Sequence, residues 1–158
     1  MIFVTLGSQK FQFNRLLIEI DRLIEEGKII EEVFAQIGYS DYEPKNYKYR
    51  NFLDRDEFAN IMSECDTVIT HGGTGAIIGA VKNEKRVIAV PRLEKFGEHV
   101  DDHQLQIIEQ FNNLGFIKSS DDINELGDLI NSIGNMKLIK YKSNTENIIK
   151  GIDEFLSS

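Results

Sequence analysis

The sequence is poor in cysteine, proline and tryptophan, with one, two and none respectively, and basic residues are outnumbered by acidic ones. The lone thiol, Cys65, has no partner within the chain, which excludes a disulfide-built scaffold and fits a reducing compartment. Neither Pro44 nor Pro91 sits in a proline-rich linker, and no repeat or low-complexity tract divides the 158 residues. A chain of that length is expected to fold as one domain, residues 1–158, since domains usually span about 100–200 residues. No apolar run approaches the roughly 18 residues of a membrane span. The opening Met1-Ile2-Phe3-Val4-Thr5 lacks the basic n-region and long apolar stretch of a secretory signal. Eighteen basic against 26 acidic residues leave a net charge of −8, which opposes general binding to nucleic-acid phosphates. What is present, 41% hydrophobic and 28% charged residues, is the composition of a globular protein with a full core. A cytoplasmic location is expected.

Short apolar runs alternate with helical periodicity. Ile2–Leu6, Glu32–Ile37, Tyr49–Phe52, Asp66–Thr70, Arg86–Val90 and Gly115–Ile117 read as six strands. Between them, Phe13 to Ile24, Arg55 to Glu64, the segment after Gly75, the segment from Asp102, and Ile123 to Ile133 carry apolar residues at helical spacing. A last helix at about 143–157 carries Ile148, Ile149, Ile152, Phe155 and Leu156. The alternation predicts an α/β, doubly wound, mostly parallel Rossmann-like sheet with helices on both faces. In such a sheet ligands sit beyond the carboxyl ends of the strands, which directs attention to the turns after strands one, four and five.

The turn after strand four, His71-Gly72-Gly73-Thr74-Gly75, has three glycines in four positions, and Thr74 is placed to cap the following helix. A helix N-terminus with exposed amides suits a phosphate, although the same residues also make a tight turn without any ligand. The spacing fits neither a dinucleotide fingerprint nor a P-loop, which disfavours dehydrogenase and P-loop NTPase chemistry. Gly7 and Ser8 after strand one form a second small-residue loop able to offer amides and a hydroxyl to an anion. The stretch from Pro91 to Gln104 concentrates acids, imidazoles and an amide. Its side chains are suited to hydrogen-bonding sugar hydroxyls, while Asp101 and Asp102 also complement a helix start. His99 and His103 are four apart, but no metal site is expected. Asp54-Arg55-Asp56 matches a D-x-D triplet by chance, Asp54 reading as a helix N-cap. Cys65 reads as a small buried hydrophobe.

In combination, Phe52-Leu53, Asp66 to Gly75, Val90-Pro91 and Asp102-His103-Gln104 resemble the C-terminal, donor-binding half of GT-B glycosyltransferases of the MurG-like family. The resemblance spans nearly the whole chain. It is greatest to the free-standing single-domain members, which are the small subunit of the dolichol-linked GlcNAc transferase and its bacterial counterparts in capsule and exopolysaccharide synthesis. The loop from Gly97 to Gln104 looks like the bacterial group.

The resemblance implies a UDP-hexose donor as substrate, with no cofactor and no metal. Gly7, Ser8, His71, Gly72, Gly73, Thr74 and Gly75 would hold the diphosphate, and Phe52 and Leu53 the uracil and ribose. Asp101, Asp102 and Gln104 would orient the sugar. The family's ribose-binding glutamate falls at Gly79, which leaves Glu98 as a substitute. The acceptor-binding half is not in this chain, so a membrane-anchored partner subunit would supply it, together with a lipid-linked saccharide acceptor. The base would be Glu98 or His99, or would come from that partner. The implied activity is that of a metal-independent, UDP-sugar-dependent hexosyltransferase subunit, transferring galactose, glucose or GlcNAc at the inner membrane face. A non-catalytic nucleotide-binding module that regulates or stabilises a partner is the alternative. The last helix either docks on the partner or packs on its own sheet.

Overall fold

A computed structural model describes residues 1–7, 10–99 and 101–135. Ser8 and the helix expected at about 143–157 lie outside the described residues. The strands are β1 (Ile2–Thr5), β2 (Val33–Gln36), β3 (Lys48–Arg50), β4 (Thr67–Thr70), β5 (Arg86–Ala89) and β6 (Lys118–Ser119). They form one six-stranded sheet in the order β3-β2-β1-β4-β5-β6, with every pairing parallel. The helices are α1 (Asn14–Glu25), α2 (Arg55–Glu64), α3 (Thr74–Lys82), α4 (His103–Asn113) and α5 (Leu126–Ser132).

Strand β1 explains the two-sided core. Ile2 and Val4 face one layer with α1 and α5, where Leu16, Leu17, Ile20, Leu126 and Ile130 pack. Phe3 faces the other with α2, α3 and α4, among Met62, Ile77, Ile108 and Phe111. A strand covered on both faces reads as a near-continuous apolar run, and β1 is buried throughout. The strand order reverses between β1 and β4, and in such sheets the ligand crevice lies at this switch point, here flanked by Gly7 and His71-Gly72-Gly73.

Several boundaries differ from expectation, β3 being Lys48–Arg50 rather than Tyr49–Phe52. The sixth strand is Lys118–Ser119 rather than Gly115–Ile117. Gly115, at φ +84°, turns the chain out of α4, and the Phe116 amide donates back to the Phe111 carbonyl at 3.3 Å, so the ladder with β5 begins only at Ile88 and Lys118. Helix α3 starts at Thr74, with Gly73 as N-cap, so Thr74 is inside the helix rather than capping it. Helix α2 follows expectation. The Asp54 carboxylate accepts from the Glu57 amide at 2.8 Å while the Glu57 side chain accepts from the Asp54 amide, a reciprocal capping box.

The segment between β2 and β3 is held by Asp21 on α1. Its carboxylate accepts from the Lys45 and Asn46 amides, both at 2.9 Å, and from the Tyr42 hydroxyl at 2.5 Å. That hydrogen bond pushes the Tyr42 phenol up to about 12. Asp21→Ala leaves two amides unpaired and should cost about 1–3 kcal/mol in denaturant unfolding, with Asp21→Asn losing less.

Candidate functional site

The start of α3 is the crevice floor. No side chain caps it, and the Ile77 amide is the first to bond, to the Gly73 carbonyl at 3.1 Å. The amides of Thr74, Gly75 and Ala76 therefore point outward without a partner among the described residues, at the positive end of the helix. The turn before it has no room for side chains. A Cβ on Gly73 would lie 2.3 Å from His71 Cε1, and one on Gly72 would lie 2.5 Å from Gln104 Cβ and 2.9 Å from its carbonyl oxygen. Opposite, Gly7 is left-handed at φ +69°, and its Cβ would lie 2.7 Å from His71 Nε2.

His71 is buried at the end of β4, and Gln104 is its one hydrogen-bond partner among the described residues, Nε2 to His71 Nδ1 at 3.3 Å. Burial, and then the nearby Arg92 charge, push the imidazole down to about 3. Gln104 is itself buried, its Oε1 accepting from the amides of Gly72 at 3.0 Å and Arg92 at 3.2 Å. Gln104 is thus turned to the protein, not to the solvent side of the crevice.

Arg92 is the feature that sequence reasoning missed. It is 1% exposed, and its guanidinium donates to the carbonyls of Leu6 and Phe11, both at 2.7 Å, and of Gln12 at 3.3 Å. It straps the loop after β1 to the loop after β5. Burial lowers its pKa to about 10, with Glu98 opposing that shift, so it remains charged at neutral pH. The signal in the sequence is an arginine directly behind an apolar strand and proline, Val90-Pro91-Arg92, where a solvated residue has no reason to be.

Glu98 does not stand in the crevice as a base or a ribose ligand. It is fully buried; Arg15 grips both carboxylate oxygens at 3.0 Å, and the Leu93 amide donates to Oε1, also at 3.0 Å. Its lone pairs are committed to holding the loop. His99 is half-buried against the Phe11 ring, its Nδ1 lying 3.2 Å from Asp101 Oδ1 without hydrogen-bond geometry. Asp101 accepts from the His103 amide at 2.9 Å and Asp102 from the Glu94 amide at 3.0 Å, so both exposed acids brace the loop and helix start. Among the described residues no group of three or more His, Cys, Asp or Glu is placed to hold a metal ion.

At the end of β3 the exposed Phe52 ring meets exposed Tyr39 edge-to-face at 5.2 Å. The Leu53 amide donates to Gln36 Oε1 at 3.2 Å. Gly38 links this side to the crevice, since a Cβ there would lie 2.9 Å from the Gly7 carbonyl oxygen. A Cβ at Gly79 would meet nothing within 4 Å.

Residues 1–156 match the model of the glycosyltransferase family 28 C-terminal domain. The chain belongs to that family. It is 36% identical over 81 residues to the UDP-N-acetylglucosamine transferase subunit ALG13 of Candida glabrata, a match covering 51% of this chain and 39% of that protein. The chain thus spans well under half of that relative's length. Among solved structures, ALG13 in solution superposes with a TM-score of 0.60 at 18% identity over 94% of each chain. MurG of Acinetobacter baumannii gives 0.58 at 18% identity, over 96% of this chain and 49% of that one. The glycotransferase of kitacinnamycin gives 0.61 at 17% identity, over 98% of this chain and 38% of that one. At these identities the structures share the fold: this chain has the architecture of a GT-B C-terminal half.

Two outcomes follow from the geometry. Gly72→Ala forces a Cβ into the Gln104 backbone and should destabilise the fold by about 1–3 kcal/mol in denaturant unfolding. His71 is neutral when folded but takes up a proton near its ordinary 6.5 when unfolded, so the unfolded state binds more protons between pH 6.5 and about 3. Stability should therefore decline as pH is lowered from about 6.5 to about 3, by at most about 1.4 kcal/mol per unit from this group. In His71→Gln, urea unfolding at stepped pH should show a shallower decline.

Proposed function

We propose that this chain is the donor-binding subunit of a two-part inverting glycosyltransferase and takes a UDP-sugar into the crevice between Gly7 and α3. One observation carries the reading: an uncapped helix start, walled by glycines, at the point where the strand order reverses. A diphosphate satisfies the three outward amides and the helix dipole together. Membership of the glycosyltransferase family, and a relative named as a UDP-N-acetylglucosamine transferase subunit, support the nucleotide and the transfer. Phe52 and Leu53 take the uracil side, beyond Gly38.

In the transfer, an acceptor hydroxyl attacks the anomeric carbon, the bond to the diphosphate breaks, and charge collects on the leaving UDP. Amides already aimed at that charge stabilise it without reorganising. The hydroxyl's proton goes to His99 or to a base on the partner, because Glu98 is locked in its ion pair. We place the acceptor, a lipid-linked saccharide of capsule or exopolysaccharide synthesis, on a membrane-anchored partner subunit, and the donor among the UDP-hexoses. This chain then works at the inner membrane face through its partner, and no described helix is long and apolar enough to cross a membrane.

Thermal denaturation with UDP tests the first step. A ligand at a hundred times its Kd adds about 2.7 kcal/mol of stability, so the transition should rise with UDP and not with an equal concentration of uridine. No response to UDP overturns the donor reading. Donor-by-donor transfer by the chain reconstituted with a membrane-anchored partner tests the second. Binding without transfer of any hexose points to the non-catalytic module.

A further inference from the structure

We propose that Gln104 is a positioning residue that fixes His71 as its Nε2–H tautomer, making the ring a neutral hydrogen-bond donor at the wall of the crevice. The inference rests on the reading that this crevice takes a diphosphate.

The orientation of the Gln104 amide follows from its partners. The atom facing the amides of Gly72 and Arg92 receives two N–H groups, so it is the oxygen. The other end is then the NH2 group, 3.3 Å from His71 Nδ1. A donor facing Nδ1 requires a lone pair there, which leaves the ring proton on Nε2. Two backbone amides from two different turns thereby dictate the tautomer of a third residue.

Protonating the ring would set an Nδ1–H against the Gln104 NH2, donor against donor. The charged and titratable neighbours, Arg92 and His99, both disfavour a second positive charge, as does burial. The Nε2 edge lies between the crevice's two glycine walls, 2.7 Å and 2.8 Å from the positions that a Cβ on Gly7 and on Gly73 would occupy. It has no hydrogen-bond partner among the described residues. A lone pair at that edge would repel a phosphate oxygen, whereas an N–H donates to it. The buried Arg92 cation does not substitute, because its terminal nitrogens are spent on loop carbonyls.

The test combines a tautomer measurement with binding. Nitrogen NMR of histidine-labelled wild type, with the His71 signals found by loss in His71→Gln, should show Nε2 protonated and Nδ1 bare at pH 7. The opposite tautomer overturns the inference whatever the variants do. Gln104→Glu places a carboxylate against Nδ1 and should draw the proton there. UDP affinity at pH 8 should then drop by about tenfold or more, the worth of one hydrogen bond to a charged group, and recover at pH 6 as the ring takes up a second proton. His71→Gln, whose amide nitrogen reaches the Nε2 position, should hold UDP within a few-fold of wild type, whereas His71→Asn should not. If Gln104→Glu changes the tautomer but binds UDP as wild type does, this inference fails alone. If wild type does not bind UDP, the donor reading fails first.

Discussion

The Gln104 side chain sits where the turn after β4, the turn after β5 and the start of α4 meet. Its oxygen joins the Gly72 and Arg92 amides, and its nitrogen holds the ring of His71. All of these groups are buried, so each hydrogen bond offsets a desolvation cost that water cannot relieve. Remove that amide and two buried N–H groups are left without a partner, and the His71 ring loses its one hydrogen bond among the described residues. The absence of side chains at Gly7, Gly72 and Gly73 is the same constraint seen from the other side. Cβ atoms there would overlap His71 or Gln104 before they met a ligand.

Around this junction lies a small cationic region in an acidic protein. Arg15 and Arg92 share one acid, Glu98, and the α3 terminus adds its dipole. Arg15 also lies 4.6 Å over the Phe96 ring, and Arg92 5.2 Å over Phe13, so both guanidiniums are packed as well as hydrogen-bonded. The net charge of −8 keeps the rest of the surface unattractive to phosphate polymers, while the start of α3 carries the positive end of a helix dipole.

Most of the architecture was legible in the sequence because a parallel sheet covered on both faces demands near-continuous apolar runs, and the apolar centres of Ile2–Thr5, Thr67–Thr70 and Arg86–Ala89 supply them. The strand at Lys118–Ser119 was misplaced because Phe116 and Ile117 are apolar for a different reason, packing as the chain leaves α4. The glycines of the crevice were visible as a pattern. The roles of the loop after β5 were not, because a carboxylate or amide in a sequence does not reveal which way it faces. Glu98 was read as a base or ribose ligand and Asp101, Asp102 and Gln104 as facing the sugar, but the fold turns Glu98 and Gln104 into buried braces and gives Asp101 and Asp102 to the His103 and Glu94 amides. Arg92 drew no functional role because its partners, the carbonyls of Leu6, Phe11 and Gln12, lie about eighty positions away and are backbone groups that any residue carries.

The Arg92 strap has an implication for how such domains diverge. Because its donors reach main-chain carbonyls of the loop after β1, what it demands of that loop is a path rather than particular side chains. Apart from Gly7, the strap leaves residue types there free to drift, but it does not tolerate insertions and deletions. A graft that exchanges the loop after β5 between relatives will therefore keep its shape only if the recipient's first loop follows the same course, and the two segments behave as one heritable module despite their distance along the chain.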